Sequence, residues 1–109
     1  MSGAHLQYGS TVLSDPHPNV TLTVGATNER VFCVQAIGPV PTSIEWYNPQ
    51  SQLVSSNNRD AVNQAGGGDR SARLTFRNYQ QSQGGQYECR VAGPGNNLER
   101  LAVCISKCN

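Results

Sequence analysis

Four cysteines are the side chains of this sequence with the most chemistry to offer: Cys33, Cys89, Cys104 and Cys108. A thiol can serve as a nucleophile, a metal ligand or half of a disulfide, and its company decides which. A nucleophile needs a base, but His5 and His17 both lie near the N-terminus, in a stretch without periodicity. A zinc site needs four ligands at paired spacings. Cys104-x₃-Cys108 is not such a spacing, and no second ligand pair or histidine cluster accompanies it. The seven carboxylates are scattered, and no G-x-S-x-G, H-E-x-x-H or P-loop pattern occurs. The Gly66-Gly67-Gly68 run is followed by no helical pattern, so it is no phosphate cradle. These residues speak against catalysis, a metal centre or a cofactor in this segment. Four cysteines in a small, Lys-poor, Gly-rich chain favour an oxidising compartment. Asn19-Val20-Thr21 is the one N-x-[ST] sequon, a glycan acceptor if the chain is secreted.

The elements that must position these groups are short and extended. Val20 to Val24 alternates apolar and polar and stops at Gly25, which reads as a half-buried strand. Arg30–Ala36, Ser43–Tyr47, Arg73–Phe76, Gln86–Ala92 and Leu98–Ile105 read as strands as well. Leu53-Val54 and Asp60–Gln64 are weaker candidates, and residues 65–69 read as the most flexible stretch. Gly93-Pro94-Gly95-Asn96-Asn97 has hairpin-loop composition. No long segment has a 3.6-residue period, so no substantial helix is expected. Seven to nine short strands, punctuated by turn signals, predict an all-β sandwich.

Composition narrows the class further. At 109 residues the chain has the size of one domain. We divide it into 1–9 as a tag or disordered lead, 10–106 as the folded domain, and 107–109 as the start of a linker. A net charge of +1 argues against an electrostatic nucleic-acid binder. Hydrophobic residues at 37% are too many for a disordered chain of such low net charge. No run of about 18 apolar residues exists to span a membrane. No apolar region follows the N-terminus as a signal peptide would require.

Trp46 stands thirteen residues after Cys33, Cys89 stands 56 after Cys33, and Tyr87 stands two before Cys89. Leu74, Phe76, Tyr79 and Gly85 extend the pattern upstream of Tyr87. This Cys…Trp…Tyr-x-Cys arrangement resembles the immunoglobulin superfamily, over about residues 19–105, with a spacing closer to the intermediate or short sets than to the longer variable set. The resemblance implies a β-sandwich of two antiparallel sheets with Greek-key connections. It implies a Cys33–Cys89 bridge between the sheets, Trp46 packed on the sulfurs, and a Tyr87 hydroxyl bonded to backbone at the corner of its strand. One position departs: Gln83 stands where the family usually has an Asp paired with an Arg, so a Gln83 hydrogen bond is expected in place of that salt bridge. Cys104 and Cys108 lie outside the hallmark pair. A local bridge, partners in a neighbouring domain and intermolecular bridges all stand open for them. The local bridge, which we prefer slightly, requires a turn after Ile105.

Alternation assigns the faces. With Cys89 inward, Tyr87 and Val91 follow it, while Glu88 and Arg90 face out. Glu45 and Tyr47 face out beside Trp46, and Arg100 faces out on the last strand. Glu45, Tyr47, Glu88, Arg90 and Arg100 therefore form a candidate binding face, Tyr and Arg being enriched at interfaces. On the other sheet Phe32 and Val34 point outward beside Arg73, Thr75 and Arg77; either Arg stems cover them, the reading we prefer, or they form a contact patch. The function implied by the resemblance is non-catalytic recognition: an extracellular module of a membrane-anchored or secreted adhesion protein or receptor, binding a protein ligand or self-associating. Two alternatives stand beside it: a ligand-binding piece of a receptor tyrosine kinase ectodomain, with its kinase elsewhere in the full-length protein, and a structural spacer of a matrix or muscle-type protein.

Overall fold

Alternation does decide which side of each strand meets the core. The structure is a computed structural model that describes residues 3–54, 61–65 and 70–108, with backbone alone for 61–65. Among the described residues nine strands follow in chain order: β1 (Ala4–Tyr8), β2 (Thr11–Leu13), β3 (Asn19–Val20), β4 (Glu29–Gln35), β5 (Ser43–Tyr47), β6 (Ala61–Ala65), β7 (Ser71–Phe76), β8 (Gly85–Ala92) and β9 (Leu98–Ile105). They form a five-stranded sheet in the order β2-β1-β4-β7-β6 and a four-stranded sheet in the order β3-β9-β8-β5. The inward positions of both sheets meet in one core: Val31 and Cys33 from β4, Leu74 and Phe76 from β7, Trp46 from β5, Cys89 from β8 and Ile105 from β9, all fully buried.

The two sheets are tied by the Cys33–Cys89 bridge, whose Cα atoms are 6.4 Å apart. It closes a loop of 56 residues, which in the chain-entropy model stabilises by about 4 kcal/mol. Trp46 lies beside Cys89 in the β5–β8 register, so the bridge and the indole occupy neighbouring core positions. The indole N–H donates to the Ala72 carbonyl on the opposite sheet at 3.0 Å, so Trp46 joins the sheets by packing and by a hydrogen bond.

Three elements differ from the sequence expectations. Residues 4–8, expected as part of a tag or disordered lead, form β1, with Leu6 buried and in register with Cys33. Gly9-Ser10 then turns the chain in two residues into β2, with Gly9 at φ +58°, a conformation glycine adopts without steric cost. Residues 20–24, expected as one strand, enter a ladder only at Asn19–Val20, and that ladder runs parallel to β9 while the other pairings are antiparallel. The physical reason lies at Ser106, whose φ of +63° ends the straight run of β9. Its hydroxyl takes over from backbone: Oγ accepts from the Leu22 N–H at 3.0 Å and donates to the Leu22 carbonyl at 3.2 Å. Leu22 thus stays buried without being in a strand. The Leu53-Val54 candidate reduces to a single bridge, Tyr47 to Leu53, and the Val54 N–H donates to the Trp46 carbonyl at 2.9 Å. Of the stretch 65–69, Ala65 ends β6 and 66–69 lie outside the described residues.

Gly85 is fixed by both backbone and space. Its φ is +140°, and a Cβ there would lie 2.7 Å from Cγ of Pro49. We expect Gly85→Ala to destabilise by more than about 1 kcal/mol in urea titration, because the substitution demands a strained φ and displaces Pro49. Removing the bridge as Cys33→Ala/Cys89→Ala should cost about 2–5 kcal/mol in the same assay.

Candidate functional site

The outer face of the four-stranded sheet is built by register. Glu45 on β5 lies opposite Arg90 on β8, and Arg90 lies opposite Arg100 on β9. One row along, Tyr47 lies opposite Glu88 and Glu88 opposite Ala102. Tyr87, Cys89 and Val91 take the inward positions of β8, which leaves Glu88 and Arg90 on the outer side.

Three of the five candidate residues are in contact. The Arg90 guanidinium carbon sits 3.9 Å from the centroid of the Tyr47 ring. Its Nε donates to Oε1 of Glu88 at 2.7 Å, the ion pair found among the described residues. The ring quadrupole and the carboxylate therefore hold one cation from two sides. The hydrogen bond to Glu88 is the main cause that raises the Arg90 pKa further above its ordinary value; the Glu88 charge and Tyr47 add to it, and desolvation opposes it. Glu45 and Arg100 flank this group in register, Glu45 half-buried and Arg100 exposed, and neither joins the ion pair. The result is a ridge that presents a pre-oriented Tyr-Arg pair between two further charges.

The strand entering this face is held by its corner. The Tyr87 hydroxyl donates to the Gln83 carbonyl at 2.7 Å, and its ring packs edge-on against Phe76 with centroids 5.5 Å apart. Burial first, then the neighbouring Tyr79, pushes the Tyr87 pKa up to about 12. Gln83 does make a hydrogen bond with its side chain, but a local one: Oε1 accepts from the Gln80 N–H at 2.6 Å, within the short 3-10 turn Gln81–Gln83. The turn is closed by that cap, and no cross-strand contact with an arginine replaces the family's salt bridge among the described residues.

The other candidates lie apart from the ridge. Cys104 and Cys108 are joined to each other, Cα atoms 5.7 Å apart, across the Ser106 turn. Asn19 is exposed on β3, in register with Cys104. On the five-stranded sheet Phe32 and Val34 are half-buried on the outer side, with Phe32 between Gln7 of β1 and Arg73 of β7, and Val34 between His5 and Ser71. β1 therefore shares the covering expected of Arg stems alone. Thr75, expected to point into solvent, is only 8% exposed, while Arg77 is exposed. A feature that pattern reasoning missed is the Tyr8 hydroxyl, which donates to Oε1 of Glu29 and so fastens β1 to the start of β4. That hydrogen bond, with burial and the Glu29 charge, pushes the Tyr8 pKa up to about 12. The Gly9-Ser10 dipeptide is the hairpin cue that could have pointed to β1.

A separate recess of about 500 Å³ opens at one end of the sandwich, between the β4–β5 loop and the β8–β9 hairpin, lined by Pro39, Pro41, Val91, Pro94 and Leu98 among others. None of the five ridge residues lines it. Among the described residues no group of three or more His, Cys, Asp or Glu converges as metal ligands would. Among them, too, no helix is long and apolar enough to cross a membrane.

Two changes test these contacts. Tyr87→Phe removes the donor to Gln83 and should cost about 1 kcal/mol in urea titration, with little change in fold by circular dichroism. Both Tyr8 and Tyr87 have folded-state pKa values of about 12, above the ordinary 10.0 of an unfolded tyrosine. A raised pKa contributes stability that is fully present below the unfolded value and is lost as pH rises through the folded one. The denaturation midpoint should therefore fall between about pH 10 and 12, and Tyr8→Phe should flatten that fall.

The immunoglobulin I-set domain model matches residues 11–102. Among solved structures, the first immunoglobulin domain of mouse SynCAM 2 is similar at 20% identity, covering 84% of this chain and 96% of that one, with a TM-score of 0.56. The Dpr1 IG1 domain bound to DIP-eta IG1 is similar at 16% identity, covering 95% of each chain, with a TM-score of 0.61. The ZIG-8 IG1 homodimer is similar at 14% identity, covering 85% of this chain and 81% of that one, with a TM-score of 0.55. At these identities the structural likeness speaks for the fold alone. The family model, by contrast, spans most of the chain and encloses both the bridge that ties the sheets and the tyrosine that sets the corner, and on that ground the chain belongs to the immunoglobulin I-set domain family.

Proposed function

We propose that this domain is a non-catalytic extracellular recognition module, part of a membrane-anchored or secreted adhesion protein or receptor, and that it meets a protein partner through the outer face of the four-stranded sheet. The observation that carries this reading is the Tyr47–Arg90–Glu88 group. Its Arg is held over the ring at 3.9 Å and bonded to the carboxylate at 2.7 Å, so little side-chain freedom is left to lose on binding. Tyr and Arg are residue types that dominate binding energy at interfaces. The buried Cys33–Cys89 bridge is consistent with an oxidising, extracellular setting. Similar domains are found in the Dpr1–DIP-eta complex and the ZIG-8 homodimer, which supports a partner that is itself a protein.

A second copy of the chain is the simplest partner, because the ridge carries both signs of charge and is self-complementary in chemistry. Sedimentation velocity over a wide concentration range tests it. We expect a concentration-dependent dimer that Arg90→Glu and Tyr47→Ser weaken at least tenfold, with the β-sheet circular dichroism spectrum retained. A strict monomer would move the reading to a different protein ligand, to be sought in a binding screen against cell-surface ectodomains. In such a screen the same two variants must lose the ligand; binding equal to wild type would assign recognition to another surface. The spacer alternative has the opposite expectation: no partner in either assay, and no effect of either substitution beyond stability.

A further inference from the structure

The sequon is the motif that the recognition reading leaves unused, and its surroundings give it a role. Asn19 and Thr21 are both exposed, while Val20 and Leu22 between and beyond them are buried, so the two residues with acceptor chemistry share the solvent side. The Asn19 carboxamide makes no hydrogen bond among the described residues, and the Thr21 hydroxyl makes none either. The Pro18 and Val20 carbonyls accept from the Cys104 and Ser106 N–H groups at 2.9 and 2.7 Å. The intervening backbone positions, Asn19 and Thr21, therefore turn their polar groups away from β9. They lie on the open side of β3, which is the last strand of its sheet. An open edge of unpaired N–H and C=O groups is a template for pairing with another chain.

We propose that Asn19 is an N-glycan acceptor and that its glycan masks the open β3 edge. The transfer is chemically complete as follows. Nδ2 of Asn19 displaces the pyrophosphate from the anomeric carbon of a lipid-pyrophosphate-linked oligosaccharide. A C–N bond forms as the C–O bond breaks, the lipid pyrophosphate leaves, and the amide nitrogen gives up one proton. Nothing is oxidised or reduced. The Thr21 hydroxyl is the sequon's third-position requirement.

Position makes the glycan selective in what it covers. Asn19 shares a cross-strand row with Cys104 and Gln86. Tyr47 stands one row along and on β5, at the far edge of the sheet, three strand spacings or about 14 Å away. A sugar on Asn19 therefore shields the edge, where pairing is unspecific. The inference rests on the extracellular reading and not on which face binds.

Expression through the secretory pathway of a eukaryotic cell tests both halves. Intact mass before and after amidase removal of N-glycans should show one glycan, with Asn19 converted to Asp at the point of release. Thr21→Ala should lose the whole glycan mass, and Thr21→Ser should retain it. An unmodified wild-type chain would overturn the acceptor assignment. For the masking, Thr21→Ala and Thr21→Ser are compared by sedimentation in a Tyr47→Ser background, so that association through the ridge does not contribute. The glycan-free variant should self-associate several-fold more than its glycosylated counterpart. Equal association would overturn the masking while leaving the recognition reading untouched.

Discussion

The Cys33–Cys89 bond is the constraint on which the other features depend. It fixes one point of each sheet to the other at a Cα separation of 6.4 Å, and it does so at fully buried positions. Once that point is fixed, strand alternation leaves no choice. Every second residue of β4 and β8 counted from the bridge must face the core, and every residue between must face out. The ridge of Tyr47, Glu88 and Arg90 is a consequence of this parity, not an independent design. Trp46 secures it from the neighbouring strand, because its indole N–H reaches the Ala72 carbonyl across the core and so holds β5 in place laterally.

What was legible in the chain follows the same logic. The strands that contain or adjoin the bridge have strong period-two patterns, and β4, β5, β7, β8 and β9 sit within a residue or two of where alternation places them. The sidedness of Glu45, Tyr47, Glu88, Arg90 and Arg100 was readable for that reason. The stack of Arg90 on Tyr47 was not, since it depends on which residues of β5 and β8 lie opposite each other, and register between distant strands is set by tertiary packing. β1 was hidden for a different reason. Its five residues, Ala4–Tyr8, bury only Leu6 completely, and a strand that contributes one buried side chain leaves little pattern. The hydroxyl of Ser106 is a third case. Its substitution for ladder hydrogen bonds at Leu22 arises from a left-handed turn, and no propensity marks a serine for that.

The polar, weakly charged composition also finds its place. Neutral amides and hydroxyls serve as local caps. Gln83 closes the turn before β8, Ser106 holds Leu22, and Asn48 accepts from the N–H groups of Gln50 and Gln52 at 2.9 Å each. Such bonds are short-range and indifferent to salt. They leave the net charge near neutral, so that a partner is met by shape and contact with little long-range steering.

The two disulfides differ in what a reductant can reach. Cys33 and Cys89 are wholly enclosed, whereas Cys104 and Cys108 are half-exposed at the surface. Exchange begins with a thiolate approaching a sulfur, so access ranks the two bonds kinetically. By access alone, an external dithiol meets the outer bond before the one that joins the sheets. The segment that bond closes is the one carrying Ser106, which holds Val20 and Leu22. The molecule thus has a reducible clasp on one edge strand and a protected rivet at its centre.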